Sequence, residues 1–346
     1  MRIVFFGTPE YVIPIFEYLL KNEEVVCVVT RSDKPSGRHF QSVPSPVKKL
    51  TIEKKIPVLT PENLKDKNFF SQFSRPTDDG MATFNPQLAI VAAYGKILPK
   101  EILNIFPLGC INLHFSILPK YRGAAPIQWA IIKGEKKTGV TSFFMDEGLD
   151  TGKIISQIET EIKIDDTADT LREKLIPVAI DVLSETLKKI KDGFKGELQG
   201  NEVNYAPPLK KEDGKINWNK PVEEIHNMIR GMKPWPSAYT QITNCKPSSQ
   251  FCLSEANKTK LEDFQQTTNL KILEAEKIQI CSDDNLQCPA CSKPGQITEI
   301  LKNTGFVVRC NPGFLLIKTV QPASKNVMSA WAFLLGYKFF VGDQLS

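Results

Sequence analysis

Asn112 and His114 stand two residues apart in the stretch Gly109 to Pro126, GCINLHFSILPKYRGAAP, at the end of an apolar run that reads as a strand. Alternation along a strand puts both side chains on the same face. A neutral amide donor and a titratable imidazole aimed at one point can hold a carbonyl oxygen as it becomes negatively charged, which is the chemistry of acyl transfer. The pair lacks a carboxylate. Asp150 is the candidate, because MDEGLDTGK follows the next apolar run, Val140 to Met145, and its glycines permit a tight loop folding back on the pocket. An aspartate between glycines also caps ordinary turns, and a histidine at a strand end can be a satisfied buried residue. The three together point to a reacting centre.

The residues that position this centre resemble a known family. NLHFSILPKYRGAAPIQWAI, followed by MDEGLDTGKII, is similar to the formyltetrahydrofolate-dependent formyltransferases. The opening MRIVFFGTPEY and the segment PSPVKKL narrow the resemblance to the methionyl-tRNA formyltransferases, and it runs through nearly the whole chain. The Asn-x-His-x-Ser-x-Leu-Pro-x-Tyr-Arg-Gly core is shared by several formyl-transferring and formyl-hydrolysing relatives, so it specifies the chemistry better than the acceptor.

The resemblance implies transfer of the formyl group of 10-formyltetrahydrofolate to the α-amino group of initiator methionyl-tRNA for translation initiation, with Asn112, His114 and Asp150 catalytic. Asp150 would either orient His114 or take the proton of the attacking nitrogen; both roles stay open. Ser116, Ile117, Leu118 and Pro119 match the family's Ser-Leu-Leu-Pro folate segment, with Ile117 replacing a leucine at nearly unchanged volume. LAIVAAYGKILP, Leu88 to Pro99, resembles the strand and turn that pack on the pterin, which brings in Tyr94 and Ile97. Tyr121 and Arg122 serve equally well as loop anchors. Rival readings are a sugar-nucleotide N-formyltransferase, a formyltetrahydrofolate hydrolase and a non-catalytic RNA-binding module.

Between Thr30 and Lys55 the chain carries Arg31, Lys34, Arg38, Lys48, Lys49, Lys54 and Lys55 against only Asp33 and Glu53, with prolines that discourage regular structure. A basic loop can track phosphates, and the same charge can simply solubilise a surface. The resemblance makes Arg31, Lys34 and Arg38 tRNA contacts; separately, the charge of Lys210, Lys211, Lys318 and Lys325 is expected to add a backbone-contacting face on a second domain. The net charge of +5 suits a polyanionic partner without requiring one.

The runs 2 to 6, 25 to 30, 88 to 94, 109 to 115 and 140 to 145 have the apolar pattern of buried strands in a parallel sheet, with helices expected over Ile15 to Lys21, Pro46 to Lys54 and Pro126 to Lys133. The alternation predicts an α/β fold, a Rossmann-like doubly wound sheet with ligands beyond the carboxyl ends of its strands, and the resemblance makes it a formyltransferase domain. A long helix is expected from Thr167 to Lys191, kinked or split at Pro177. The Gly-, Pro- and charge-rich stretch after it reads as a linker. The expected domains are therefore 1–195, a linker at 196–209, and 210–346, whose short strands suggest a small antiparallel barrel. The resemblance makes that barrel OB-like and tRNA-binding.

At 346 residues the chain has room for two domains, and 41% hydrophobic with 24% charged residues excludes disorder as its main state. Gly7 and Pro9 cut the first apolar run far too early for a signal peptide, and no later run approaches a membrane span. A cytoplasmic protein without a membrane partner is expected, and a monomer. Eight scattered cysteines agree with a reducing compartment. Gly7-Thr8-Pro9 lacks a dinucleotide fingerprint, and Gly148 and Gly152 are too closely spaced for a phosphate loop, so neither a nicotinamide cofactor nor ATP is indicated. Cys288-Pro-Ala-Cys291 is half a zinc-ribbon pattern, with Cys245, Cys252 and Cys281 as further thiols, but the second half is not cleanly spaced. No metal is expected, and the segment from Asn244 to Ser292 has no assigned role.

Overall fold

A computed structural model describes residues 1–36, 41–73, 84–244, 266–278, 292–337 and 339–346, by backbone alone at 34–36, 41–42, 243–244 and 266–267. The chain divides into two units, one of Met1–Trp129, Lys136–Lys163 and Thr170–Pro208, the other of Ala130–Glu135, Ile164–Asp169 and Leu209–Ser346.

The apolar runs of the first unit become strands because both faces of each are covered: Ile3, Val4, Phe5 and Phe6 are wholly buried, as are Leu88, Ala89, Ile90 and Ala92. The strands are β1 (Arg2–Gly7), β2 (Glu24–Val29), β3 (Val58–Leu59), β4 (Leu88–Ala92), β5 (Cys110–His114), β6 (Lys137–Phe144) and β7 (Ile154–Glu161). They form one sheet in the order β7-β6-β5-β4-β1-β2-β3. From β5 to β3 every pairing is parallel. The helix α1 (Ile13–Asn22) buries Ile15, Phe16 and Leu19, and α2 (Pro46–Glu53) starts where the Ser45 hydroxyl accepts the Lys48 amide at 3.1 Å. A third helix, α3 (Pro126–Ile132), opens on its proline.

Two expectations need correction. The run at 140 to 145 is a strand, but β6 pairs antiparallel with β5, and β7 antiparallel with β6. Burial on both faces produces the same apolar run whichever way a strand points, so composition carried no direction. Of the kink or split expected at Pro177, the split does not occur, since α4 is continuous from Ala168 to Lys191. Its stripe of Leu171, Leu175, Ala179, Val182, Leu183 and Leu187 is buried, and that packing outweighs the one backbone hydrogen bond proline removes.

Residues 196–208, expected to connect the domains, contribute structure to the first unit. Glu197 and Ile154 exchange backbone hydrogen bonds of 2.8 Å in both directions, and Tyr205–Ala206 pairs in parallel with Arg122–Gly123.

The second unit is built on an antiparallel sheet of β8 (Ala238–Asn244), β9 (Gln266–Ile278), β10 (Ile297–Leu301), β11 (Gly305–Arg309), β12 (Phe314–Pro322) and β13 (Met328–Ser329). Their order is β8-β9-β12-β11-β10, with β13 on β12, which agrees with the OB-like expectation. Ile225 and Ile229 on α5 (Val222–Gly231) enter its core beside Leu270, Ile272 and Phe306, while Glu223 and Glu224 face out. Phe333 on α6 (Ala330–Tyr337) completes that core. Among the described residues no helix is long and apolar enough to cross a membrane.

Candidate active site

Asn112 and His114 flank Leu113 in the last three positions of β5, where strand alternation sends both side chains to one face. In register Asn112 lies between Val91 of β4 and Phe143 of β6. Its amide is half-buried, and no described residue hydrogen-bonds it. His114 is buried, edge-on to the Phe143 ring.

The imidazole is held from both sides. Nε2 lies 2.9 Å from the Tyr121 carbonyl, which only accepts, so the hydrogen sits on Nε2 and donates there. That leaves Nδ1 to exchange protons, and it faces Oδ2 of Asp150 at 3.6 Å. The same carboxylate oxygen accepts the Gly123 amide at 2.8 Å.

Because β6 runs antiparallel, the chain leaves it beside the start of β5, where the Met145 amide donates to Cys110 at 2.8 Å. The loop must double back to bring Asp150 to His114. Asp146 Oδ1 accepts the Gly148 amide at 3.1 Å and the Thr151 hydroxyl at 2.6 Å, which closes the turn. Asp150 itself adopts φ 53°, and Gly152 is so close to the Phe144 carbonyl that a Cβ would stand 1.6 Å from its oxygen. Only glycine fits there.

The Ser116–Pro119 turn spends its polar atoms internally. Thr141 Oγ1 donates to the Ser116 carbonyl at 2.7 Å and accepts the Leu118 amide at 3.1 Å, while Gln157 Nε2 donates to the Leu118 carbonyl at 2.8 Å. The Ser116 hydroxyl donates to Lys120 at 2.6 Å. A turn so tied is a rigid wall rather than a source of free donors. Ile117 is half-buried against Gly139. Tyr94 sits in the apolar cluster with Phe6, Val91 and Leu98, where burial pushes its phenol up to about 12 against the opposing pull of the Arg31 guanidinium. Ile97 is 86% exposed.

These side chains place an amide, an imidazole nitrogen and a carboxylate together, the parts for polarising a carbonyl and relaying a proton. Residues 1–187 match the family model described as formyl transferase, and residues 208–338 match its C-terminal domain. The chain belongs to the formyl transferase family. A methionyl-tRNA formyltransferase of Thermodesulfovibrio yellowstonii is 41% identical over 342 residues, 98% of this chain and 97% of its own length. Another, of Clostridioides difficile, is 44% identical over 294 residues, 83% and 90% of the two chains. Among solved structures, the N-formyltransferase of Helicobacter canadensis in complex with folinic acid and dTDP-3-aminofucose superposes with a TM-score of 0.61. It covers 93% of this chain and 99% of its own at 20% identity, a likeness of fold.

The basic residues read as nucleic-acid contacts are not brought to one place by any described interaction. Arg31 is half-buried and lies against Gly95. Lys34 begins a short antiparallel pair, Lys34–Ser36 with Gln41–Val43, where the prolines were expected to prevent regular structure; a two-stranded edge tolerates Pro35. Arg38 lies outside the described residues, and so do Cys245, Cys252, Cys281, Cys288 and Cys291. Lys48 is paired with Asp33 at 2.7 Å. In the second unit Lys210 is exposed, its amide donating to Asp213 at 2.7 Å, and Lys318 is ion-paired with Glu276.

Sequence reasoning missed Gln199 and Asn204. Asn204 Oδ1 accepts the Tyr121 amide, and its carbonyl accepts the Arg122 amide at 3.0 Å. Both residues lie in a stretch whose Gly, Pro and charge content read as a connector; two uncharged amides within it were the signal that could have found them. The main chain of Tyr121 and Arg122 is tied to this segment, and the Arg122 guanidinium to Gln199.

Proposed function

We propose that the chain transfers the formyl group of 10-formyltetrahydrofolate to the α-amino nitrogen of initiator methionyl-tRNA, giving N-formylmethionyl-tRNA. The observation that carries the reading is the meeting of the Asn112 strand face, His114 Nδ1 and the Asp150 carboxylate at the carboxyl end of the interior strand β5. Relatives named methionyl-tRNA formyltransferase, 36–41% identical over 98–100% of this chain and 44% identical over 83% of it, support the acceptor.

The lone pair of the neutral amine attacks the formyl carbon, and the carbonyl electrons move onto oxygen to give a tetrahedral oxyanion. The Asn112 amide donates to that oxygen, a contact worth more in the transition state than in the ground state. His114 Nε2 is committed to Tyr121, so the imidazole works through Nδ1: it takes the proton of the attacking nitrogen and returns it to N10 as the carbon–N10 bond breaks. Asp150 offsets the charge Nδ1 acquires and keeps the ring in register. No covalent enzyme intermediate forms.

In this reading the Ser116–Pro119 turn, with Tyr94 and Ile97, walls the folate site, mostly apolar with few polar contacts. Residues 1–195, together with the stretch 196–208 that braces its loops, form the catalytic domain. Residues 210–346 form the tRNA-binding domain, with Lys210 and Lys318 adding to Arg31, Lys34 and Arg38. The enzyme works as a monomer in the cytoplasm.

The test offers the formyl donor with three acceptors separately: methionyl-tRNA, a dTDP-aminosugar, and water. Formylation of methionyl-tRNA alone is expected. Formyl-aminosugar as the main product, or donor consumption without an acceptor, would replace this reading with one of its rivals.

A further inference from the structure

Gln199 is half-buried between exposed residues at 197–198 and 200–205, and its neighbour Leu198 is 82% exposed. Burial energetics would choose the opposite in a neutral spacer, with leucine turned in and glutamine out. The inward amide uses its whole hydrogen-bonding capacity. Oε1 accepts from Arg122 at Nε, 3.1 Å, and at Nη2, 2.5 Å. Nε2 donates to the carbonyls of Asp150 and Gly152, each at 2.8 Å.

Those partners belong to the two loops that clasp His114. One carries Asp150, facing Nδ1; the other carries Tyr121, whose carbonyl takes Nε2–H, followed by Arg122 and by Gly123, whose amide holds the Asp150 carboxylate. Both Asp150 and Tyr121 stand in the left-handed region, at φ 53° and 61°, where side-chain-bearing residues stay only if surrounding contacts hold them. Gln199 bridges the two loops through side chain alone, so neither can drift from the imidazole without breaking a bond to this amide.

We propose that Gln199 is a positioning residue of the formyl-transfer centre, fixing the spacing between the Asp150 carboxylate and His114. The inference rests on the roles assigned above to Asn112, His114 and Asp150. A displacement of this kind costs rate at the chemical step rather than binding, because Gln199 holds the main chain of the loop that carries Asp150 and acts on the proton-moving groups only through it.

The experiment measures formylation of methionyl-tRNA by the full chain and by Gln199→Ala, Gln199→Glu and Asn112→Ala. Expected for Gln199→Ala is a fall in kcat of about 10²-fold with KM for both substrates changed by less than about twofold, together with an altered pH profile of kcat. A purely structural role would lower the amount of folded enzyme and leave the profile of the remainder unchanged, which overturns the proposal. If Gln199→Ala folds poorly, Gln199→Glu carries the comparison, since it keeps the acceptor for Arg122 and loses both donors to the Asp150 loop. Wild-type kcat and pH profile in the Gln199 variants, with Asn112→Ala impaired, would remove Gln199 from the centre alone. Wild-type activity in Asn112→Ala would instead remove the reading of the centre, and this inference with it.

Discussion

The carboxylate of Asp150 meets His114 from a loop that departs at the opposite end of β5, and it arrives 3.6 Å from Nδ1 only because that loop reverses on itself. The charge, not the shape, of Asp150 is then the quantity to test. Asp150→Asn keeps an oxygen for the Gly123 amide and removes the charge that balances a proton on Nδ1. We expect kcat to fall by about 10²- to 10⁴-fold, with folding intact. A variant with unchanged kcat across the pH range would show that the carboxylate only shapes the loop.

Gly123 lies at φ 127°, and a Cβ there would stand 2.6 Å from the Ala206 carbonyl oxygen. Gly123→Ala therefore strains the backbone and pries Tyr205–Ala206 off the loop that holds Asp150. The expected loss is on the order of 2 kcal/mol of unfolding free energy, with a fall in kcat in the fraction that remains folded. Denaturant titration beside steady-state kinetics checks both; an unaltered midpoint would mean the pairing contributes nothing.

What the sequence disclosed, and what it withheld, divides along physical lines. Runs such as Ile3 to Phe6 and Leu88 to Ala92 announce buried strands because they are apolar on both faces, and the two-residue step from Asn112 to His114 announces a shared face. Direction is not encoded in such a run, so the antiparallel turn of β6 stayed hidden. Nor is the partner of a polar side chain: Nε2 of His114 is spent on the Tyr121 carbonyl, which no spacing reveals. Gln199 was hidden by its setting, since a glutamine among glycines and charges looks solvated until both of its ends are seen engaged.

The second unit supplies a pH-dependent prediction. His226 on α5 is held below its ordinary value of 6.5, by burial first and then by the Arg230 and Lys277 cations, against weaker pulls from Glu223 and the Ala275 backbone. Its Nδ1 is buried without a partner among the described residues. A depressed histidine means that the unfolded chain binds the proton more readily, so stability present above about pH 6.5 is lost as the pH falls below it. His226→Gln should flatten that loss between about pH 7 and about pH 5, read as the denaturant midpoint at each pH. Equal slopes in both proteins would place the acid sensitivity elsewhere.

The most direct measurement is single-turnover formylation of methionyl-tRNA by the intact chain and by Asn112→Ala, with the released amino acid analysed by mass. The account predicts N-formylmethionine from the intact chain and a rate about 10²- to 10³-fold lower in the variant, as expected for the loss of one oxyanion donor. Equal rates, or no formylated methionine from the intact chain, would contradict it.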